Sequence, residues 1–341
     1  MSKDLLGWHL LPREDWDRAL SAALDHKRMG RVTSTVASGR GICLMFFNSS
    51  LRTRTSMEVA AAQLGAHVST VTPGSGVWGL SFEDGAVMDG AEAEHVREAA
   101  GVLSRYYDAI GVRLFASLSN LEQDRSDRLI ERFAAGADVP VVNLESAFWH
   151  PCQELADAAT ISSHFEGHTA GKKLVLAWSY HPKALPMAVP NSAVMMAARL
   201  GMHITIARPE GYALDPSVMS MAGDAAASSG GSLQESTDRL AAFEGADVVY
   251  AKGWAGSGVY VNADVEAERR RGLTEWRTTA DAMRRTNRAA FMHCLPVRRN
   301  VVVDDAVLDG HDAIHLLQAE FRLHAQKAIL EMIWDLDHNA R

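Results

Sequence analysis

Apolar positions fall into two kinds of window along the chain. Short, nearly continuous apolar or β-branched runs at residues 41–47 (GICLMFF), 67–71, 108–113 and 139–144 read as strands covered on both faces. Between them, residues 55–64, 92–106 and 130–134 carry helical spacing, and Gly65 follows the first of these windows as a helix C-cap. The pattern then restarts. Strands are expected at 173–178, 203–207, 247–252 and 289–293, with helices at 191–200, 216–229 and 279–285. Ser229-Gly230-Gly231 marks a turn. A last strand at 313–317 and a closing amphipathic helix at 324–336 complete the reading. Such alternation predicts an α/β fold with two doubly wound, mostly parallel sheets. The restart predicts two domains that meet within residues 148–155, which 341 residues accommodate.

Composition narrows the function. With 47% hydrophobic and 22% charged residues the chain can bury two cores. A formal net charge of −8 argues against a general nucleic-acid or anionic-membrane binder, so neither is expected as a partner. No apolar run approaches the roughly 20 residues of a membrane span. The opening MSKDLLGWHLLPRED lacks the basic-then-apolar build of a signal peptide. Cys43, Cys152 and Cys294 are far apart with no C-x-x-C, which predicts free thiols, no metal site and a cytoplasmic enzyme.

Candidate chemistry lies where expected strands end. Phe46 through Ser56 (FFNSSLRTRTS) joins a strand to a helix. A helix N-terminus offers free N–H groups, to which Ser50, Thr53 and Thr55 add hydroxyls and Arg52 and Arg54 add guanidinium forks suited to phosphate oxygens. The same residues also fit an ordinary Ser/Thr-capped helix with two solvated arginines. Farther on, His150-Pro151-Cys152-Gln153 follows Glu145. It reads either as donors for a carbonyl oxygen gaining charge or as a helix entry with proline in the first turn. Arg113, His293-Cys294-Leu295-Pro296, Arg298 and Arg322 complete the set. Cys294 is either a reactive thiol or a small residue at a strand end. No G-x-x-x-x-G-K-[ST] is present, which argues against a P-loop nucleotide-binding reading.

In this order and spacing, Ser50-Leu51-Arg52-Thr53-Arg54, Arg113, His150-Pro151-Cys152-Gln153, His293-Cys294-Leu295-Pro296 and Arg322 resemble the aspartate/ornithine carbamoyltransferase family, from about residue 40 to the C-terminal helix. Within it the chain is most similar to the N-acylornithine branch. The Asp-x-x-x-Ser-Met-Gly segment of ordinary ornithine carbamoyltransferases is absent, since Ala222 follows Ser220-Met221. Tyr250-Ala251-Lys252-Gly253-Trp254 stands in the expected place, and Met88-Asp89-Gly90 and residues 178–192 are also branch-like. The proline-rich stretch 181–190 resembles the one through which the branch's chain is knotted.

The resemblance implies a carbamoyl-phosphate domain, residues 1–150 with the helix 324–341 packed back on it, and an acylornithine domain, residues 151–323. Ser50, Leu51, Arg52, Thr53 and Arg54 would hold the phosphate. Arg113, His150, Gln153, Cys294, Leu295 and Arg322 would surround the carbamoyl group, with Arg113, His150 and Cys294 nearest the chemistry. Trp78, Ala93, Glu145, Lys252, Arg298 and Val302 would meet the acylornithine, Trp78 from a neighbouring subunit of a homotrimer. The implied reaction gives N-acylcitrulline and phosphate, in arginine biosynthesis, with no cofactor. The N-acetyl enzymes carry glutamate where this chain has Ala93 and often lysine where it has Val302, so both positions point to N-succinylornithine; residues 55–63 and 150–157 look more like the N-acetyl enzymes. A carbamoyltransferase with another amine acceptor, and a non-catalytic carbamoyl-phosphate sensor, are the alternatives.

Overall fold

The computed structural model describes residues 4–336. The chain forms two compact units. The first runs to Ser117, resumes over Glu122–Ala156 and takes in the chain from Phe321 onward; the second is Leu118–Leu121 with Asp157–Glu320. The change of unit thus falls inside the Pro151–His164 helix, and the return inside the His315–Ile333 helix.

Strands of the first unit, in chain order, are β1 (Gly41–Phe46), β2 (His67–Pro73), β3 (Gly76–Val77), the small pair β4 (Leu80–Ser81) and β5 (Glu94–His95), β6 (Ala109–Arg113) and β7 (Val141–Glu145). They build a sheet in the order β3-β2-β1-β6-β7, and all its strand pairs are parallel. Every residue of β1 and β6 is buried, as central strands of a parallel sheet require. Ile110, Val112, Ile130 and Phe133 lie in a core of this unit, and each such side chain contributes about 1.5–3 kcal/mol by leaving water. Gly65, just beyond the Arg52–Gln63 helix, takes φ 85°, and a Cβ there would meet Ser34 O at 2.9 Å.

The second unit repeats the plan. Strands β8 (Lys173–Trp178), β9 (His203–Ala207), β10 (Ser232–Ser236), β11 (Val248–Lys252) and β12 (Ala290–Met292) form a parallel sheet in the order β10-β9-β8-β11-β12. In each sheet the strand order reverses at the first strand, β1 with β2 and β6 on its sides and β8 with β9 and β11. Ligands of open α/β sheets bind beyond the carboxyl ends of the strands at such a point.

The structure corrects two local expectations and adds elements for which none was stated. Residues 313–317 are no strand: Ala313 makes one isolated bridge to Phe291, and a helix begins at His315 and runs to Ile333. A short apolar run does not distinguish the two by period. Residues 92–95 are outside the helix that follows, which is Val96–Tyr106, because Glu94 and His95 pair with β4. Strand β10 is an additional edge strand whose polar sequence SLQES carries no apolar signal. Arg13–Met29 is a further helix. Among the described residues no helix is long and apolar enough to cross a membrane, and no group of three His, Cys, Asp or Glu is placed to hold a metal ion.

Candidate active site

In the first unit, the β1 and β6 ends bring the polar set together. Beyond β1 the chain turns through Ser49 and Ser50 into the Arg52–Gln63 helix. Its N-cap position is Leu51, with no side-chain cap, so Ser50 does not cap it. Thr55 Oγ1 donates to Leu51 O (2.8 Å) instead of bonding a first-turn amide. The capped-helix alternative therefore gives way, and first-turn amides point outward without a side-chain acceptor, as an anion site needs. Leu51 and Arg54 are exposed, and Arg54 makes an i,i+4 pair with Glu58 (3.1 Å).

Thr53 faces inward from the same helical turn and is buried. Its Oγ1 accepts from two guanidinium groups, Arg322 Nη2 at 2.8 Å and Arg113 Nη1 at 3.3 Å. Arg322 also donates to Gln153 Oε1 (2.6 Å), and Arg113 to Glu145 Oε2 (2.6 Å). The Arg113 guanidinium stacks over the Phe115 ring, 4.4 Å from its centroid. His150 Nε2 lies 3.5 Å from the same Glu145 oxygen. Two buried guanidinium groups against one carboxylate leave a positive excess beside the helix N-terminus. Within a dry site such donors act strongly on a developing oxyanion. Arg113, His150, Gln153 and Arg322 are all nine-tenths or more buried, so their geometry is held by packing.

Glu145 reaches Arg113 through an irregularity. In the β6–β7 pair Val112 faces Asn143 while Arg113 faces Glu145, so Leu144 is an extra residue and Glu145 takes φ 144°. A bulge of this kind re-aims the side chain that follows it. Cys152, near Arg322, is buried, and burial pushes its thiol up to about 11, so it remains protonated and inert.

The second unit gathers a different set at the β8 and β11 ends. Lys252 closes β11 and is half-buried. His181 follows β8, and its Nε2 is the partner of Arg298 Nε at 3.2 Å. Burial first, then the charges of Lys252, Arg298 and Arg270, hold the His181 imidazole below its ordinary value. A neutral histidine among these cations leaves a site suited to a carboxylate. Among the described residues, Lys252 Nζ and the Arg298 guanidinium have no carboxylate within ion-pair distance. His181 was legible only as one polar position in a proline-rich stretch, and its role appears only when the strands align. Leu295 follows β12 with φ 58°, and its N–H donates to His293 Nδ1 (2.8 Å). The adjacent Cys294 is half-buried. Val302 is buried beneath the turn 298–302, its N–H bonded to Arg298 O (2.9 Å).

Two of the expected acceptor residues lie elsewhere in the first unit. Trp78 is 60% exposed, and its indole N–H donates to Glu94 Oε2 (2.6 Å). Ala93, exposed, precedes that glutamate.

Two family domains match the chain in succession. Residues 3–163 match the aspartate/ornithine carbamoyltransferase carbamoyl-P binding domain and residues 186–333 the Asp/Orn binding domain. N-acetylornithine carbamoyltransferase of Xanthomonas campestris pv. campestris is 44% identical over 327 residues, 94% of this chain and 96% of that one. N-succinylornithine carbamoyltransferase of Bacteroides fragilis is 36% identical over 320 residues, 94% of this chain and 95% of that one. A solved structure of a glutamate-to-alanine variant of N-acetyl-L-ornithine transcarbamylase, complexed with carbamyl phosphate and N-succinyl-L-norvaline, superposes with a TM-score of 0.92 at 44% identity, covering 96% of this chain and 98% of that one. The uncapped helix with its paired guanidinium groups thus has a family: the chain belongs to the aspartate/ornithine carbamoyltransferases and is a carbamoyltransferase of their N-acylornithine branch.

Proposed function

We propose that the protein transfers the carbamoyl group of carbamoyl phosphate to the δ-amine of an N-acyl-L-ornithine, with N-succinylornithine preferred. The observation that carries the transferase half is the convergence of Arg113 and Arg322 on Thr53 beside the uncapped start of the Arg52–Gln63 helix. In this reading the first unit takes carbamoyl phosphate. Amides and side chains of Ser50, Leu51, Arg52, Thr53 and Arg54 hold its phosphate, and Arg113, His150, Gln153 and Arg322 its carbamoyl group. The uncharged amine attacks the carbamoyl carbon. A C–N bond forms, the C–O bond to phosphate breaks, and the departing phosphate takes the amine proton. Charge growing on the carbonyl oxygen meets donors already in place, an effect worth about 3–4 kcal/mol per donor in comparable sites. Holding both reactants in order supplies a further share of the barrier.

The second unit takes the acceptor. Lys252 and Arg298, with neutral His181 between their charges, suit its α-carboxylate. Cys294 and the Leu295 carbonyl would lie near the reacting amine, and Glu145 near the acceptor. Exposed Trp78 and Val87 fit a segment that a neighbouring subunit covers in a homotrimer. Light scattering on the purified protein would test that assembly, and a monomer would remove it.

The preference for succinyl is supported by Ala93. The resemblance aligns it with a glutamate of the N-acetyl enzymes, and variants of such an enzyme with that glutamate changed to alanine, proline, serine or valine are each complexed with N-succinyl-L-norvaline. Alanine removes a negative charge that would repel a succinyl carboxylate and leaves it room. Val302 would act through the turn that carries Arg298. The second reading, N-acetylornithine, is favoured by the higher identity to an N-acetylornithine enzyme, 44% against 36%. The deciding experiment measures citrulline-type product from carbamoyl phosphate with N-succinylornithine, N-acetylornithine and ornithine side by side. Succinylornithine as the best acceptor is expected. Acetylornithine as the best acceptor would move selectivity away from Ala93, and turnover of ornithine alone would end the acyl reading.

A further inference from the structure

Glu145 and His150 are joined by a buried four-residue turn, residues 146–149, that belongs to no substrate contact described above. What holds this turn is a side chain from another element. Asp127 occupies the N-cap position of the Arg128–Ala135 helix, where an aspartate ordinarily accepts from its own helix's amides. Here it makes no side-chain cap and stands at φ 52°, ψ 29°, in the left-handed region. Its carboxylate is turned across to the 146–149 turn instead. Oδ2 accepts from Ser146 Oγ at 2.6 Å and Oδ1 from Phe148 N at 3.1 Å. A helix cap and a relaxed backbone are both given up for two bonds to a turn, a pattern that clusters at functional sites.

The bonding of Ser146 shows why. Its hydroxyl accepts from Asn143 Nδ2 (2.8 Å) and from Trp149 N (3.2 Å). Its single proton is therefore the only one it has to give. Asp127 Oδ2 at 2.6 Å takes it in preference to Trp149 O at 3.1 Å, being the closer acceptor. Asn143, fully buried, closes the arrangement by accepting from Glu145 N at 2.9 Å. The chain from Asp127 through Ser146 and Asn143 thus ends on the residue after the bulge and on the turn that leads into His150.

We infer that Asp127 is a positioning residue for the reaction: through Ser146 it fixes the turn that aims Glu145 at Arg113 and sets His150 beside it. The inference rests on the roles given to Glu145 and His150 above. Burial pushes the Asp127 carboxyl up to about 7, so the site keeps an acidic group where a neutral one would be easier to bury. That favours a role in activity over one in stability.

Asp127→Asn and Ser146→Ala test it, with the full-length protein throughout. Asparagine matches the shape and tolerates the left-handed backbone but offers Ser146 a donor in place of an acceptor. Three readouts are taken: melting temperature, binding of inorganic phosphate by calorimetry, and kcat. A fourth, hydrogen–deuterium exchange over residues 145–150, is independent of turnover. Expected are a melting temperature close to the parent's at pH 5, where the Asp127 carboxyl is protonated, a phosphate Kd close to the parent's, kcat lowered at least tenfold, and exchange over 145–150 at least tenfold faster. Unchanged exchange there overturns the inference, as does faster exchange with kcat within twofold of an active parent. A parent that turns over no N-acylornithine removes the acceptor reading; exchange then decides the positioning claim by itself.

Discussion

Arg322 Nη2 donates to Thr53 Oγ1 at 2.8 Å, a bond between residues 269 positions apart. It ties the C-terminal helix to the first turn of the Arg52–Gln63 helix inside one unit. Because Arg113 bonds the same oxygen, one hydroxyl sets the spacing of both guanidinium groups. Thr53→Val keeps the shape and deletes the acceptor. Two buried donors lose a partner, so a loss of about 1–3 kcal/mol in unfolding free energy is expected. Urea denaturation gives that number. A parallel loss in kcat of tenfold or more is expected; a variant with parental kcat would show that Thr53 does not set the spacing.

Arg54 is the opposite case. It is exposed, and its pair with Glu58 is an i,i+4 surface pair worth about 0.3–0.5 kcal/mol. Arg54→Ala should therefore melt close to the parent while turnover falls by orders of magnitude, if it holds the phosphate. Near-normal turnover in the folded variant would remove Arg54 from the phosphate site.

Lys252→Met probes the other unit. With its charge gone, the acceptor's carboxylate loses an electrostatic partner, while the groups around carbamoyl phosphate are untouched. The expected result is a KM for N-acylornithine raised at least tenfold and an unchanged Kd for phosphate. A rise in the phosphate Kd with acceptor KM intact would reverse the assignment of the two units.

Ala93→Glu addresses acyl choice. A carboxylate at this position should lower kcat/KM for N-succinylornithine at least tenfold and leave N-acetylornithine far less affected, by like-charge repulsion. Equal effects on both acceptors would place acyl selectivity elsewhere in the chain.

Asp127 also yields a pH dependence. Its carboxyl is raised from 3.8 to about 7 in the folded protein, with burial as the main cause. The folded state thus holds a proton that the unfolded state releases near pH 4, and this contribution to stability is lost as pH rises from about 4 to about 7. At most about 1.4 kcal/mol per pH unit is involved. Asp127→Asn removes the titration, so its urea midpoint should gain on the parent's between pH 5 and pH 8. A constant difference across that range would mean that the carboxyl titrates in the ordinary range.

Much of this architecture is legible in the apolar pattern. Buried parallel strands such as Gly41–Phe46 and Lys173–Trp178 announce themselves as unbroken apolar runs, because both faces are covered. Ordered motifs after those runs identified the family, since a βα-turn after a parallel strand is where such folds bind ligands. Elements without that signal were missed or misplaced. Ser232–Ser236 is a polar edge strand, and residues 313–317 are apolar but open a helix. Arginines and the histidine were candidates by residue type alone. Their roles depend on distances between positions up to 269 apart, which only packing sets. The bulge at Leu144, the left-handed Asp127 and the cationic surroundings of His181 have no local signature, because each is imposed by neighbours distant in sequence. The sequence by itself determined the parallel α/β plan, the family and the residue types of the site. Tertiary structure alone decided which hydroxyl the two guanidinium groups share and which carboxylate holds the turn before His150, since both are bonds closed across the fold.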